Sequence, residues 1–191
     1  MKDIVIIVFG GHAKSVAYTI ERTGQYNIAG YTDTEESDNS EKYKYLGTDS
    51  VLKEVFEGGV VYTAIGVGYI GKGDLRDRLY TMLKDIGYEL PVIIDPSAIV
   101  SDSAIIEEGS FIGKGAIVNA DARIGKMCII NSKSLVEHES VVGDFSHVAV
   151  GANLCGQVNV GDHVFIGAGA VVVQCTNVCN GIFVRAGEVV Y

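Results

Sequence analysis

An aliphatic residue returns at every sixth position from Val100 to Val184, in fifteen consecutive six-residue units without an insertion. All but one of these fifteen residues are β-branched, and the last residue of most units is small, as in Ala104 and Ser110. A unit of this length divides into a short strand and a turn, and three units close one triangular coil. Each aliphatic side chain then stacks on its equivalent in the next coil, which buries a continuous core. The repeat therefore predicts a left-handed parallel β-helix of five coils, within a domain over residues 95–191.

The first 94 residues have a different pattern, in which short apolar runs alternate with amphipathic segments. The continuous apolar runs predict strands that are buried in a parallel sheet, and the amphipathic segments predict helices that cover it. We predict strands at 4–9, 28–32, 60–65 and 91–94, helices at 13–23, 49–56 and 75–86, and a solvated loop at 34–45. This alternation indicates a small Rossmann-like domain over residues 1–94, and the change of period marks its boundary with the β-helix.

The chain is acidic, with a net charge of −9, and it contains four cysteines. An acidic surface argues against nucleic-acid binding, because that binding depends on Lys and Arg side chains that neutralise phosphates. The spacing of the cysteines matches neither a C-x-x-C pair nor a zinc quartet, so we expect reduced thiols. The apolar run at 4–9 is too short to span a bilayer. We therefore expect a cytoplasmic protein that binds neither nucleic acid nor membranes.

A glycine-rich turn follows the first predicted strand, at Gly10, Gly11 and His12. A turn of this kind between a strand and a helix presents backbone N–H groups that suit a diphosphate. Asp33 ends the second predicted strand, where an acid that contacts a ribose is expected. The dinucleotide pattern is incomplete, because Val8 stands at the position of its first glycine. From spacing alone, the segment is either a nucleotide site or a tight turn without a ligand.

A second group of polar residues lies within the repeats, where His138 stands between two glutamates and His147 follows nine residues later. Charged side chains of a β-helix point outward, and a carboxylate beside an imidazole favours its use as a general base. The alternative is two histidines on a solvated face. Metal ligands on a β-helix are expected to stack on successive coils, at a spacing of eighteen residues. His138, His147 and His163 do not have this spacing, so we expect no metal site.

The segment over residues 130–172, with the Gly-Gly-His-Ala-Lys turn at 10–14, resembles a family of hexapeptide-repeat sugar O- and N-acetyltransferases. These are the enzymes related to sialic acid O-acetyltransferase and to the UDP-4-amino-sugar N-acetyltransferases. The pair Ile65-Gly66 and the triplet Pro96-Ser97-Ala98 extend the resemblance over nearly the whole chain. It implies a homotrimer that uses acetyl-CoA as co-substrate and needs no metal.

The resemblance also implies roles for particular residues. His138 is the expected general base, and Glu139 is expected to orient it. A second set is expected to contact acetyl-CoA, with Asn131 close to the reacting groups: His147, Asn131, Ala168, Arg185 and Ala186. A third set is expected to hold the sugar or its nucleotide: Gly10, Gly11, His12, Asp33 and Gly66.

The function implied is acetyl-CoA-dependent acetylation of an amino sugar, and a UDP-linked sugar is favoured because the N-terminal turn offers a place for a diphosphate. One alternative is O-acetylation of sialic acid or a related sugar. Another is a non-catalytic scaffold in a sugar biosynthesis pathway. The scaffold reading is favoured by the shortage of cations for CoA phosphates, since Arg185 is the only Lys or Arg after Lys133. It is disfavoured by the joint presence of Asn131, His138, Glu139 and His147.

Overall fold

A computed structural model describes residues 1–36, 42–71 and 73–191. The chain forms two compact units. The first unit comprises Met1–Gly68 and Asp74–Pro91, and the second comprises Tyr69–Gly73 and Val92–Tyr191.

The first unit contains a parallel four-stranded sheet in the order β3-β2-β1-β4. The strands are β1 (Lys2–Ile7), β2 (Tyr26–Thr32), β3 (Tyr45–Gly47) and β4 (Tyr62–Ile65). The apolar residues of β1 from Ile4 to Ile7 are fully buried, because β1 is flanked by strands on both sides and covered by helices. This strand order is the one found in the first half of a Rossmann fold, so the predicted Rossmann-like architecture is confirmed.

The first unit also contains three α-helices among its described residues: α1 (Gly11–Thr23), α2 (Leu52–Glu57) and α3 (Leu75–Ile86). A short 3-10 turn at Asp49–Val51 leads into α2. Glycines in the left-handed conformation end α1 and α3, at Gly24 and Gly87, as the sequence predicts.

Two differences from the prediction concern the end of the first strand and the strand β3. The first strand ends at Ile7 because the backbone of Val8 turns into the left-handed region, with φ 65°. The sequence does not predict the strand β3, in which Tyr45 and Gly47 pair with Tyr31 and Thr32 at the end of β2. The predicted loop at 34–45 includes residues 37–41, which lie outside the described residues.

The second unit is a triangular β-helix in which each strand pairs in parallel with the strand of the next coil, as Leu135 does with Asn153. Residues 92–191 are all described, and they contain seventeen two-residue strands in three sheets. The strands are β5 (Ile93–Ile94), β6 (Ile99–Val100), β7 (Ile105–Ile106), β8 (Phe111–Ile112), β9 (Ile117–Val118), β10 (Arg123–Ile124), β11 (Ile129–Ile130), β12 (Leu135–Val136), β13 (Val141–Val142), β14 (His147–Val148), β15 (Asn153–Leu154), β16 (Asn159–Val160), β17 (Phe165–Ile166), β18 (Val171–Val172), β19 (Asn177–Val178), β20 (Phe183–Val184) and β21 (Val189–Val190). The predicted parallel β-helix is confirmed, with the aliphatic column as its core.

Small residues at the corners of the coils fit the bend of the chain there. The serines among them also form hydrogen bonds with backbone N–H and C=O groups. Ser140 donates its hydroxyl to the carbonyl of Cys155 at 2.9 Å and accepts the N–H of Val158 at 3.1 Å. Ser146 repeats this arrangement with Gly161 and Val164. Because buried polar groups are costly without partners, these serines stabilise the turns between coils.

The strand predicted at 91–94 belongs to the β-helix rather than to the N-terminal sheet. Ile93 pairs with Phe111, and Ile94 pairs with Ile112, in the register of the repeat. Their spacing of six from Ile99 and Val100 is the signal that places them there. Within the described ranges, the three α-helices are too short and too polar to cross a membrane.

Candidate functional site

Residues eighteen apart occupy the same corner of successive coils, so their side chains form ladders along the edge of the β-helix. Glu139, Gln157 and Cys175 form one such ladder, and all three have left-handed backbones with φ of 58°, 60° and 60°. The amide Nε2 of Gln157 donates to Glu139 Oε2 at 3.0 Å. The thiol of Cys175 donates to Gln157 Oε1 at 3.4 Å. The ladder therefore holds the Glu139 carboxylate through one of its oxygens.

The imidazole of His138 lies at the end of this ladder and is about half exposed. Its Nδ1 is 3.3 Å from Glu139 Oε2, the same oxygen that Gln157 binds. Since a carboxylate only accepts hydrogen bonds, Nδ1 carries the hydrogen of the neutral ring and Nε2 is the acceptor. The ring lies beside Gly156, where a β-carbon would come within 2.5 Å of Nε2. A side chain at position 156 would therefore displace the imidazole of His138 from this position.

Glu137, which precedes His138 in the chain, holds the backbone at this corner. One of its carboxylate oxygens accepts the N–H of His138 at 2.9 Å, and both accept from Asn119 Nδ2 at 3.1 Å. The backbone N–H of His138, and next the Asn119 amide, lower the pKa of Glu137 below its ordinary value. The two glutamates therefore have different contacts: Glu137 holds the backbone of His138, and Glu139 holds its ring.

His147 and Asn131 form a second pair. His147 is buried, and its Nδ1 lies 2.5 Å from the carbonyl oxygen of Tyr69, so Nδ1 donates. Its Nε2 lies 3.1 Å from Asn131 Nδ2, which is then the donor to that acceptor nitrogen. Asn131 Oδ1 accepts the N–H of Ser132 at 2.8 Å, which fixes the orientation of the amide. Both residues were predicted near acetyl-CoA, and the structure places them in contact with each other.

Tyr69 and Gly71 pack on the face of the β-helix that carries His147. The hydroxyl of Tyr69 donates to the carbonyl oxygen of His163 at 2.8 Å. The rings of Phe165 and Phe183 are stacked at 4.9 Å, and a β-carbon on Gly71 would overlap Phe183. Phe165 also meets His147 edge to face at 5.2 Å. This packing explains the burial of His147, which the sequence did not predict.

The remaining residues predicted to contact acetyl-CoA lie in the last coils. Ala168, Arg185 and Ala186 are exposed, and Ala168 and Ala186 are one coil apart. The carbonyl oxygen of Ala168 accepts the N–H of Gly187 at 2.9 Å. The backbone N–H of Arg185 donates to Glu188 at 2.8 Å. The exposed side chains of Ala168 and Ala186 are small, and the exposed side chain of Arg185 belongs to the residue that precedes Ala186.

In the first unit, Gly10 and Gly11 are exposed where α1 begins, and His12 follows in its first turn. Among the described residues, no side chain caps this end of α1, and no acidic residue lies in its first turn. Gly66 has a steric role, because a β-carbon there would overlap the carbonyl oxygen of Val8 and lie 2.6 Å from the β-carbon of Ala13. The turn therefore requires glycine at 66.

Asp33 is fixed by backbone groups at the end of β2. Its Oδ2 accepts the N–H of Phe9 at 2.8 Å, and its Oδ1 accepts the N–H of Thr34 at 2.7 Å. It borders a cavity of about 360 Å³ in the first unit, whose lining also includes Val8, Thr34, Thr48, Asp49, Ser50, Leu75 and Leu79. The Val8 backbone, with φ 65°, is unusual for a β-branched residue and stands where the sequence comparison with dinucleotide sites expects glycine.

Among the predicted site residues, the structure brings His138 into contact with Glu139 and His147 into contact with Asn131. The sequence reasoning missed Gly156 and Gln157, although their spacing of eighteen from His138 and Glu139 was available. Within the described part of the chain, no group of three or more His, Cys, Asp or Glu side chains is arranged so that it could hold a metal ion.

Comparison with known proteins covers both units. Residues 3–83 match the family model described as PglD N-terminal domain. The acetyltransferase domain of PglB from Neisseria gonorrhoeae is 29% identical with a TM-score of 0.92, over 100% of this chain and 92% of that chain. The same domain in complex with acetyl coenzyme A gives 28% identity and a TM-score of 0.90, over 99% and 92% of the two chains.

A third similar structure is a mutant of perosamine N-acetyltransferase from Caulobacter crescentus in complex with CoA and GDP-perosamine. It is 28% identical with a TM-score of 0.81, over 97% of this chain and 94% of that chain. The similarity thus extends over both units and includes more than one acetyltransferase. These matches support the resemblance to hexapeptide-repeat sugar acetyltransferases that the sequence predicts, and the similarity to solved acetyltransferases covers nearly the whole chain.

Proposed function

We propose that this protein transfers the acetyl group of acetyl-CoA to the amino group of a nucleotide-linked sugar. The observation that carries the proposal is the contact between His138 Nδ1 and Glu139 Oε2, which leaves Nε2 as a proton acceptor. The similarity to solved structures of an N-acetyltransferase with GDP-perosamine and of an acetyltransferase domain with acetyl coenzyme A supports the same reaction.

In the proposed mechanism, the sugar amine enters the site in its neutral form. Its nitrogen attacks the thioester carbonyl carbon while Nε2 of His138 accepts one of its protons. A tetrahedral oxyanion forms, and backbone N–H groups stabilise it. The C–S bond then breaks, the amide forms, and the leaving CoA thiolate takes the proton from Nε2 of His138, which restores the neutral base. Glu139 keeps the ring in the required tautomer and stabilises the imidazolium.

The first unit is the proposed site of the nucleotide part of the substrate. Gly10 and Gly11 are exposed, and the backbone amide groups of this turn, with that of His12, suit a diphosphate. The cavity beside Asp33 offers hydroxyl and carboxylate groups for a ribose or a base. Uridine and guanosine both fit this chemistry. We propose a UDP-linked sugar first, and a GDP-linked sugar is the alternative that the similar structures favour.

The acetyl-CoA site is proposed on the second unit. Asn131 and His147 are placed near the acetyl end, and Ala168 and Ala186 give a surface of small side chains along which the pantetheine chain could lie. Arg185 is the proposed contact of a CoA phosphate, since guanidinium groups bind phosphates through paired hydrogen bonds.

We also propose that the protein is a cytoplasmic homotrimer. Large apolar side chains of the second unit are exposed, among them Ile99, Ile105 and Val189, at 64%, 47% and 47%. Exposed apolar groups on the flat faces of a β-helix suit packing around a symmetry axis. Light scattering should give a mass of three 20.3 kDa chains. A monomeric mass would contradict the trimer without affecting the proposed chemistry.

The reaction is tested by mass spectrometry of the products after incubation with acetyl-CoA. The acceptors are UDP-linked and GDP-linked amino sugars, the corresponding free amino sugars, and sialic acid. N-acetylation of a nucleotide-linked amino sugar supports the proposal. O-acetylation of sialic acid replaces it, and the absence of any product together with no binding of acetyl-CoA favours the scaffold.

A further inference from the structure

The residue behind the base is a glutamine that the reaction itself does not require. Gln157 lies one coil beyond Glu139, and its Nε2 donates to the same carboxylate oxygen that faces His138 Nδ1. The two distances are 3.0 Å to Gln157 and 3.3 Å to His138. The carboxylate is therefore bound on two sides, by the imidazole and by the amide.

We propose that Gln157 is a positioning residue, which acts through Glu139 to hold the His138 ring in its reactive tautomer and orientation. This inference rests on the proposed function, because it assigns a role relative to the general base. It assigns Gln157 no contact with a substrate.

The need for such a contact follows from exposure. The side chains of His138 and Glu139 are 54% and 55% exposed, so packing alone does not fix their rotamers. A long glutamate loses side-chain entropy when it is held in one conformation, and a single hydrogen bond to an exposed imidazole is a weak restraint. A second donor on the same oxygen limits the rotation of the carboxylate.

The orientation of the Gln157 amide is itself determined. Its Oε1 accepts from the thiol of Cys175 at 3.4 Å, which directs Nε2 toward Glu139. The reverse orientation would place Oε1 against the carboxylate, where two acceptors would repel. The hydrogen bonds from Cys175 to Gln157 and from Gln157 to Glu139 therefore define one orientation of the Glu139 carboxylate beside the base.

The test compares Gln157→Leu and Glu139→Ala with the double variant in the full-length protein. Gln157→Leu should lower kcat about tenfold and leave KM for acetyl-CoA unchanged. Adding Gln157→Leu to Glu139→Ala should cause no further loss, because the glutamine then has no carboxylate to position. Losses that multiply in the double variant would overturn the proposal, as would full activity of Gln157→Leu.

A second variant separates positioning from a structural effect. Gln157→Glu is nearly isosteric and places a negative charge one coil from His138. Because a nearby negative charge favours the protonated imidazole, the acidic limb of the kcat/KM profile should move to higher pH. Gln25→Leu, which removes an exposed glutamine from the first unit, is the matched control and should match the wild type. An unmoved limb in an otherwise folded Gln157→Glu variant would count against the proposal.

The assay also distinguishes this proposal from the proposed function. If the wild-type protein acetylates no acceptor, the proposed function is wrong, and this inference, which rests on it, is wrong as well. If the wild type is active and Gln157→Leu behaves like Gln25→Leu, only the positioning role fails. Thermal unfolding of each variant checks that the fold is retained.

Discussion

The imidazole of His138 lies so close to Gly156, one coil further along the β-helix, that a β-carbon at 156 would come within 2.5 Å of Nε2. The backbone of Gly156 does not have a positive φ, so its conformation alone does not require glycine. The requirement comes from the imidazole.

Gly156→Ala should therefore displace the base without unfolding the protein. His138 is exposed and can rotate away from the new methyl group, so we expect an unchanged unfolding temperature and a loss in kcat of about 100-fold, since general-base catalysis contributes on that order. Gly58→Ala is the control, because its β-carbon would meet Glu54 and Val55 carbonyls no closer than 3.3 Å. A variant as active as wild type would show that the position of Nε2 is not critical.

In contrast to Gly156→Ala, Gly66→Ala should lower the free energy of unfolding. Its β-carbon would overlap the Val8 carbonyl oxygen, and rigid backbone cannot move aside as an exposed side chain can. Overpacking of this kind costs about 1–3 kcal/mol. Gly68→Ala provides the comparison, since its β-carbon would meet His12 at an ordinary 3.7 Å. Equal unfolding temperatures for the two variants would contradict the tight contact.

Glu137 should make stability depend on pH. Its pKa is lowered in the folded protein by the His138 backbone N–H and by Asn119, so its stabilisation is present above the ordinary value of 4.5 and is lost as the pH falls through the folded-state pKa. At pH 7, Glu137→Gln should cost less than about 1 kcal/mol, because the contacts are largely exposed and screened. The difference in unfolding temperature from wild type should vanish at acidic pH.

Thermal unfolding from pH 7 to pH values well below 4.5 measures this difference. Glu57→Gln, an exposed substitution in α2, serves as the control. A destabilisation of Glu137→Gln that stays constant over the whole range would mean that the ionised carboxylate is not what holds this corner.

Arg185→Ala should weaken the binding of acetyl-CoA. The guanidinium is exposed beside Ala186, and few other cations are available in this part of the sequence. Loss of one charge-assisted phosphate contact should raise the dissociation constant by about tenfold. Titration calorimetry measures this, with Arg78→Ala in α3 as the matched loss of an exposed arginine. An unchanged affinity would exclude Arg185 from the CoA site.

The architecture of the second unit was predictable because the repeat is exact in length. Fifteen aliphatic residues in register determine the strands, the turns and the core together. The repeat begins six residues before Ile99, with Ile93 and Ile94. These two residues also fit a strand of the N-terminal domain, so the start of the repeat is harder to recognise. The strand β3 is only three residues long, and it carries too little periodicity to be recognised.

The candidate site was predictable only in part. The sequence placed Glu139 beside His138, because neighbours in sequence are neighbours in space. Gln157 and Gly156 required the spacing of eighteen to be applied to polar residues as well as to the core. The burial of His147 depends on Tyr69, which is 78 residues earlier, and no local pattern contains that contact.

The most direct test of the account is the initial rate of thiol release from acetyl-CoA in the presence of a nucleotide-linked amino sugar, for the wild type and for His138→Ala. The account predicts release that depends on the sugar and falls at least 100-fold in the variant, with acetyl-CoA binding retained. A variant that is as fast as the wild type would contradict the assignment of His138 as the general base.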